Sequence, residues 1–462
     1  MRTVTELLRK IASQRWLVKA LSLPVSIQET LLNDFIRTNH FSYENFPNLS
    51  LGQTTQVADF QHVFTKSSHS KVNIDRSLNY PEIWVDEEAL APKPLHIMML
   101  GLRGFPNVQG GIETHAEHLA PLLANLGCRV EVVVRTPYQD KSVGSKWCGV
   151  SFTRIWAPKS KGLEAIIHTF FGVLYAAIKR PDILHIHAIG PALMTPLARL
   201  LGLKVIITHH GPDYDRQKWG GFAKNTLMLG EWLGMRFSHG RIVISNVIRD
   251  IVMRKHKVAS SLIFNGVVMP NTDISERHLE QFQLQKNKYI LLVSRLVPEK
   301  RHLDLINAFK IANLEGYKLV FAGAADHQDV YAQSVLEAVK DNQNIVMTGF
   351  QTGDNLRALY SHAATFVLPS SHEGLSISLL EALSYGLPVL ASNIPANLAL
   401  ELDHSCYFEL GNVNELASLL TRNVQTPAST ESKMQVRNWV ENQYNWRNIA
   451  HKTFNEYQRI SS

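Results

Sequence analysis

The chain has 462 residues, 45% hydrophobic and 19% charged, a soluble globular composition too long for one core, so at least two domains are expected. The net charge of +7 is uneven: residues 95–272 hold 21 Lys and Arg against 10 Asp and Glu, whereas 273–462 hold 16 against 20. A basic middle suggests an anionic neighbour, either a phospholipid surface or a phosphorylated acceptor, and no nucleic acid, because no helix-turn-helix, zinc-finger or aromatic RNA-binding signature accompanies the charge.

Residues 1–93 read as short amphipathic helices followed by a polar tract, without the unbroken apolar core of a signal peptide, and no task can be assigned to them. From residue 95 a regular alternation begins. "LHIMMLG" predicts a strand, and "GIETHAEHLAPLLANLG" carries apolar positions at helical spacing. Then follow "RVEVVVR", a helix over 163–179, "DILHIHA", a helix over 191–201, "KVIITHHG", a helix over 222–238, "RIVIS", a helix near 245–256 and "SLIFNG". The apolar run 165–178 is too short to span a bilayer comfortably and contains His168, so it is expected as a buried helix.

The polar stretch 267–287 reads as a linker, after which the rhythm restarts with "KYILLVSR", "YKLVFAG", "NIVMTGF", "ATFVLPS" and "PVLAS". Strands alternating with helices imply parallel β-α-β units. The expected fold class is therefore α/β: two Rossmann-like, doubly wound domains, 94–270 and 271–430, facing across a cleft. Ligands in such sheets sit at the carboxyl ends of strands. A C-terminal helix over 431–462 should pack through Trp439 and Trp446.

Four constellations carry chemistry. The first is "SSHEGLSISLLEALSYGLPVLAS", in which Glu373 precedes a helix predicted to begin near Leu375–Ser376 and to end at Gly386, with Pro388 beyond. Amides of Gly374, Leu375 and Ser376 at the helix start would form an anion site. Glu381 could accept hydrogen bonds from a vicinal diol such as ribose, and Glu373 could reach a hexose hydroxyl; a capped helix with two exposed glutamates fits the spacing equally well.

The second constellation is Arg295 and Lys300 in "LLVSRLVPEKRHLDLINAF", two cations after a strand end that could neutralise a diphosphate without a metal. The alternative is that Lys300 and Arg301 decorate a helix start, where cations are disfavoured unless an anion binds. The third is Gly110–Gly111 in "GLRGFPNVQGGIETHAEHL", where glycine lets backbone approach a phosphate or sugar. It is not the GxGxxG fingerprint, and no acidic residue ends the next strand, so dinucleotide binding is not expected.

The fourth is "DILHIHAIGPA", with His185 and His187 on one face of a strand. His187 is the better placed to reach a sugar, and no third ligand of suitable spacing accompanies the pair, so no metal site is expected. Beside it, "THHGPDYDRQKWGG" gathers His209, His210, Asp213, Asp215, Arg216, Lys218 and Trp219 in one polar loop, either an acceptor site with an aromatic platform or a plain surface loop. Three cysteines, Cys128, Cys148 and Cys406, lie far apart with no CxxC spacing, against a disulfide framework or structural zinc and consistent with a reducing cytosol.

Together these motifs resemble the retaining glycosyltransferases of family 4, which have the GT-B fold. "SHEGLSISLLEALSYGLPVLAS" is similar to that family's E-x7-E motif, "VSRLVPEKRHLDLINAF" to its diphosphate-binding segment, "HIHAIGP" to its cleft-facing histidine segment and "IFNGV" to its Asn-Gly turn. The resemblance covers roughly residues 95–425. "GLRGFPNVQGGIETHAEHLAPLLANLG" and "HHGPDYDRQKWGGFAKNTLMLGEWL" further resemble a rhamnosyltransferase-like subgroup of bacterial surface-polysaccharide transferases. The 93-residue front departs from the family pattern.

The resemblance implies that Arg295 and Lys300 hold the donor diphosphate and that Glu381 binds the nucleotide ribose. It implies that Glu373 with the amides of Gly374, Leu375 and Ser376 holds the donor sugar, that His187 contacts that sugar near the reacting carbon, and that Gly110 and Gly111 lie against it. His187, Glu373, Arg295 and Lys300 would be the catalytic set. His210, Asp213, Arg216, Lys218 and Trp219 would meet a glycan or lipid-linked saccharide acceptor. The expected activity is transfer of a hexosyl group from a nucleotide-diphospho-sugar, with no cofactor and no metal, in the cytoplasm with a contact at the cytoplasmic face of the inner membrane. A nucleotide-sugar 2-epimerase of the same fold and a non-catalytic sugar-nucleotide-binding protein are the alternatives.

Overall fold

The computed structural model describes residues 94–462 except 159–162, 216–219 and 326–329. The N-terminal extension read over 1–93 lies outside these, as do Arg216, Lys218 and Trp219 of the polar loop. The described residues belong to one compact unit built from two α/β lobes.

In the first lobe β1 (His96–Leu100), α1 (Gly111–Asn125), β2 (Arg129–Arg135), β3 (Lys146–Trp147), β4 (Val150–Ile155) and α2 (Leu163–Lys179) are followed by β5 (Ile183–His187), α3 (Thr195–Leu200), β6 (Val205–His209), α4 (Gly221–Phe237), β7 (Gly240–Val243), α5 (Asn246–His256) and β8 (Ser261–Leu262). The sheet order is β3-β4-β2-β1-β5-β6-β7-β8. It is parallel apart from the β3–β4 pair. The central strands are buried on both faces because helices cover both, as a parallel sheet requires: every residue of β1, β5 and β6 is buried.

In the second lobe α6 (Arg277–Glu280), β9 (Tyr289–Val293), α7 (His302–Ala312), β10 (Lys318–Ala322), α8 (Val330–Val339), β11 (Ile345–Gly349), α9 (Gly353–Ser361), β12 (Thr365–Leu368), α10 (Ile377–Ser384), β13 (Val389–Ser392), α11 (Pro395–Leu398), β14 (Tyr407–Phe408) and α12 (Val413–Gln425) form a parallel six-stranded sheet. Its order is β11-β10-β9-β12-β13-β14.

In each sheet the chain runs outward from the first strand in one direction and then returns to lie on that strand's other side. The reversal falls between β1 and β5 in the first lobe and between β9 and β12 in the second. Crevices open at the carboxyl ends of strands at such reversals. The loop holding Gly110, the residue His187, the turn holding Arg295 and Lys300, and the loop holding Glu373 follow β1, β5, β9 and β12 respectively. The fold thus places four separate sequence motifs at two switch points.

Several elements differ from expectation. The helix expected over 191–201 opens as a 3-10 turn at Pro191–Met194 before α3, and Pro191 and Pro196 each stand in the first turn of their own segment, where a missing amide donor is tolerated. Strands β3, β4 and β14 carry too little apolar signal to be noticed in the sequence. The stretch expected as a linker contains α6, and Leu279 and Leu284 within it are buried. The C-terminal helix is two helices, α13 (Thr430–Gln443) and α14 (Trp446–Ser461), split where Asn445 caps the second through the Arg447 amide at 2.8 Å. Helix α13 packs on α10 of the second lobe, whereas α14 crosses back and lies on α1 of the first. Trp446 is buried in the first-lobe core and Trp439 is half-buried, its ring 5.5 Å from that of Tyr444.

Candidate active site

On the first-lobe side of the cleft the chemistry is carried by imidazoles. Strand β5 ends on His187, fully buried, and the loop after β6 begins with His210. His187 Nδ1 lies 3.1 Å from His210 Nε2, and their rings stack with centroids 5.4 Å apart. Helix α1 contributes His115, whose ring centroid is 5.6 Å from that of His187 and 5.0 Å from that of His210. Burial, reinforced by the neighbouring histidines, holds His187 and His210 well below the usual histidine range, and burial pushes His115 down to about 4. The three rings are therefore neutral at physiological pH.

His185, two residues earlier, belongs to a different network. Its ring nitrogens lie 2.7 Å from the Tyr457 hydroxyl of α14 and 2.7 Å from the Thr208 hydroxyl, so it holds α14 against the sheet. His209 likewise turns away: its Nδ1 accepts from the Gly211 amide, and its Nε2 lies 2.9 Å from Glu231.

On the second-lobe side Lys300 Nζ donates to Glu373 Oε1 at 2.5 Å, with both side chains largely shielded. This joins the turn after β9 to the loop after β12. Arg295 is half-buried in the same turn. Helix α10 begins at Ile377, next to the expected start near Leu375–Ser376, and the Ser376 hydroxyl accepts from the Leu379 amide as N-cap. The amides of Gly374 and Leu375 thus belong to the loop entering the helix rather than to its first turn. Glu381 lies one turn in and accepts from the Tyr360 hydroxyl at 2.8 Å. Burial raises its carboxyl to about 7, with the Tyr360 hydrogen bond opposing.

The two sides touch. A Cβ placed on Gly374 would lie 2.0 Å from the His210 carbonyl oxygen, so only glycine lets the two backbones approach this closely. Asn265 bridges the lobes: its Nδ2 donates to the Leu375 carbonyl at 3.0 Å while its Oδ1 lies 3.0 Å from His115 Nδ1. Gln109 Oε1 accepts from the Ala324 amide at 3.2 Å. The histidine group and the Glu373 loop are thus parts of one site.

The predicted glycine pair divides. Gly110 has φ +153, and a Cβ there would meet Glu113 Oε2 at 2.1 Å. It accommodates the buried Arg103–Glu113 pair, Nε to Oε1 3.1 Å. Gly111 is exposed and has nothing within 4 Å of a would-be Cβ, so it leaves room at the helix mouth. Of the acceptor residues expected, His210 joins the site and Asp213 is half-buried in a 3-10 turn at Asp213–Asp215. His185 and His187, read as a pair without a third ligand of suitable spacing, part company, and the fold instead brings His115 and His210 to His187.

Sequence reading missed His115 and Asn265. His115 looks like any residue on the covered face of an amphipathic helix. Asn265 sits in an Asn-Gly turn whose geometry accounts for it without a ligand.

The family model described as Glycosyltransferase Family 4 matches residues 109–269, and that described as Glycosyl transferases group 1 matches residues 275–446. An uncharacterized glycosyltransferase of Methanocaldococcus jannaschii is 25% identical over 76% of this chain and 95% of its own length. A UDP-Gal:alpha-D-GlcNAc-diphosphoundecaprenol alpha-1,3-galactosyltransferase of Escherichia coli is 25% identical over 59% of this chain and 74% of its own. The O-antigen chain mannosyltransferase B of Escherichia coli is 26% identical over 39% of this chain, and the match spans only 49% of that relative's length.

Among solved structures, sucrose-phosphate synthase from Thermosynechococcus elongatus superimposes with TM-score 0.68 at 20% identity, covering 79% of this chain and 98% of that one. An Anabaena protein crystallised with UDP and glucose gives 0.64 at 16% identity, covering 79% and 100%. The chain is a glycosyltransferase of the GT-B fold. Its first lobe corresponds to the family 4 domain and its second to the group 1 domain.

Proposed function

We propose that the protein is a retaining glycosyltransferase that moves a hexosyl group from a nucleotide-diphospho-sugar to a glycan or lipid-linked saccharide acceptor in bacterial surface-polysaccharide synthesis. The observation that carries this reading is the meeting of Lys300, Glu373 and the Gly374 loop with His187 and His210 across a closed cleft. The Escherichia coli galactosyltransferase, named for a diphosphoundecaprenol-linked substrate, supports the lipid-linked acceptor. The Anabaena structure with UDP and glucose supports the donor class.

In this reading the diphosphate enters beside Arg295 and Lys300, and Lys300 exchanges its Glu373 partner for a phosphate oxygen. That exchange frees Glu373 to accept from hydroxyls of the sugar, while Glu381 takes the ribose diol. The bond from the anomeric carbon to the phosphate oxygen breaks, and the acceptor oxygen bonds to the same face of that carbon. The acceptor proton passes to the departing phosphate. Fixed positive charge at the leaving group supplies the largest share of the rate and takes the place of a bound metal there. His187 and His210, neutral, contact the sugar from the first lobe.

Helix α4 supports the membrane contact. Phe222, Leu229 and Trp232 lie on one outward stripe at helical spacing, 89%, 48% and 48% exposed, with Arg236 on the same side. An apolar stripe with a basic flank suits an anionic lipid interface.

A hydrolysis screen against UDP-, GDP- and dTDP-sugars tests the activity. Slow release of one sugar with retained anomeric configuration is expected, with acceleration by a lipid-linked saccharide. Conversion of the donor to its 2-epimer without acceptor, or binding with no turnover of any donor, would overturn it.

A further inference from the structure

The histidine group has a property that sugar contact alone does not require. His187 Nε2 is buried and has no hydrogen-bond partner among the described residues, although leaving a buried polar atom unsatisfied is costly. The tautomer of His115 follows from its neighbours. Asn265 uses its amide nitrogen on the Leu375 carbonyl, so its oxygen faces His115 Nδ1. An amide oxygen only accepts, so His115 bears its proton on Nδ1 and keeps a lone pair on Nε2. Such an orienting contact to the far ring nitrogen is the usual support of a metal-bound histidine.

One ring nitrogen from each of His115, His187 and His210 lies within 4.8 Å of the other two. Were all three separations at that upper limit, the centre would lie about 2.8 Å from each nitrogen, some 0.7 Å beyond a zinc–imidazole bond. Small side-chain rotations close a gap of that size. Three imidazoles without a thiolate suit borderline divalent ions rather than magnesium or calcium, and leave a fourth coordination position open. Neither His185 nor His209 competes for the ion, since both nitrogens of each ring are engaged elsewhere.

We propose that His115, His187 and His210 bind a divalent transition metal such as Zn²⁺, and that metal and donor sugar exclude one another. The exclusion rests on the function proposed above, in which His187 contacts the sugar: a ring nitrogen committed to a metal is withdrawn from a sugar hydroxyl. The same cluster is tied through Asn265 to Leu375 and abuts Gly374, so an ion there adjoins the donor-sugar loop. Zinc therefore acts as an inhibitor held by the resting enzyme, separate from the cationic site for the leaving group.

Co²⁺ added to the chelator-treated full-length protein is the probe, because a tetrahedral site gives it intense visible absorption. One equivalent should produce that spectrum. His115→Gln should abolish it, while His118→Gln, on the same helix but outside the cluster, should leave it; thermal unfolding checks that both variants are folded. No spectrum in the wild type, or an undiminished one in folded His115→Gln, would overturn the site. The nucleotide-sugar that the enzyme hydrolyses, at roughly ten times its Kd, should weaken Co²⁺ binding about tenfold. If that sugar is hydrolysed yet leaves Co²⁺ affinity unchanged, the exclusion is wrong. If no nucleotide-sugar is bound or hydrolysed while Co²⁺ still gives its spectrum, the transferase reading fails and the metal site stands.

Discussion

Lys300 and Glu373 grip each other at 2.5 Å from two different strand ends, so the cation proposed for the leaving group is already paired before any donor arrives. The pair holds both side chains in place without filling the site with an immovable group. In the proposed function the donor's diphosphate, doubly charged as a whole, would take the ammonium and release the carboxylate toward the sugar.

Removing that cation should therefore harm chemistry more than architecture. Lys300→Ala and Arg295→Ala should each lower kcat by about 10²–10³-fold, measured with saturating donor. Both should keep a cooperative thermal transition. Near-normal turnover in both variants would remove the diphosphate assignment.

Glu381 gives a pH signature. Its carboxyl titrates near 7 because it is buried, so at pH 6 it is mostly protonated and at pH 8 mostly charged. Only the charged form can accept from both ribose hydroxyls, so donor KM should fall as pH rises from 6 to 8. In Glu381→Gln this step should vanish. The linked stability effect has the opposite sense: the folded state holds this proton more tightly than the unfolded chain, so the contribution is full below about 4.5 and fades as pH rises through about 7.

Gly374→Ala asks whether the lobes must touch. The added methyl would sit 2.0 Å from the His210 carbonyl oxygen, and accommodating it should cost about 1–3 kcal/mol. The cleft opens instead of absorbing the clash. Small-angle scattering should show a larger radius of gyration, and donor hydrolysis should fall with it; an unchanged radius and rate would show the contact to be dispensable.

Glu231 is a buried carboxylate of α4 that lies 2.9 Å from His209 Nε2 and 3.3 Å from Lys255 Nζ. Burial opposes its charge, but the His209 hydrogen bond and the charges of His209, Lys255 and His256 outweigh burial and bring it to about 2. Its contribution to stability is therefore present above about 4.5 and lost as pH falls toward 2. Glu231→Gln should destabilise by about 3 kcal/mol near neutral pH, read from denaturant unfolding, with a smaller deficit in acid.

The outward stripe of α4 predicts lipid binding. Replacing Phe222 and Trp232 with Ser should reduce co-sedimentation with vesicles containing phosphatidylglycerol several-fold while leaving hydrolysis of free donor intact. Equal co-sedimentation of both proteins would dismiss the membrane contact.

Much of this was legible before the fold was seen, because parallel α/β sheets write their strands as apolar runs and their sites at strand ends. His187, Lys300 and Glu373 all follow such runs, so their place at the cleft follows from position alone. What stayed hidden depends on distance between segments far apart in the chain. Nothing near His115 says that Asn265 stands against it 150 residues later. Return of α14 to the first lobe is written in a Trp and a Tyr that would suit either core.

That return has a mechanical meaning. The chain passes from the first lobe to the second through residues 267–287 and comes back between α13 and α14, near Tyr444 and Asn445, where Val267 pairs with Asn445 and its amide donates to the Tyr444 carbonyl at 2.9 Å. Two covalent tethers that run side by side resist twisting and permit bending, as two pins on a door do. Any opening between the lobes would thereby be confined to a swing about one line, which would return His210 to Gly374 in the same alignment.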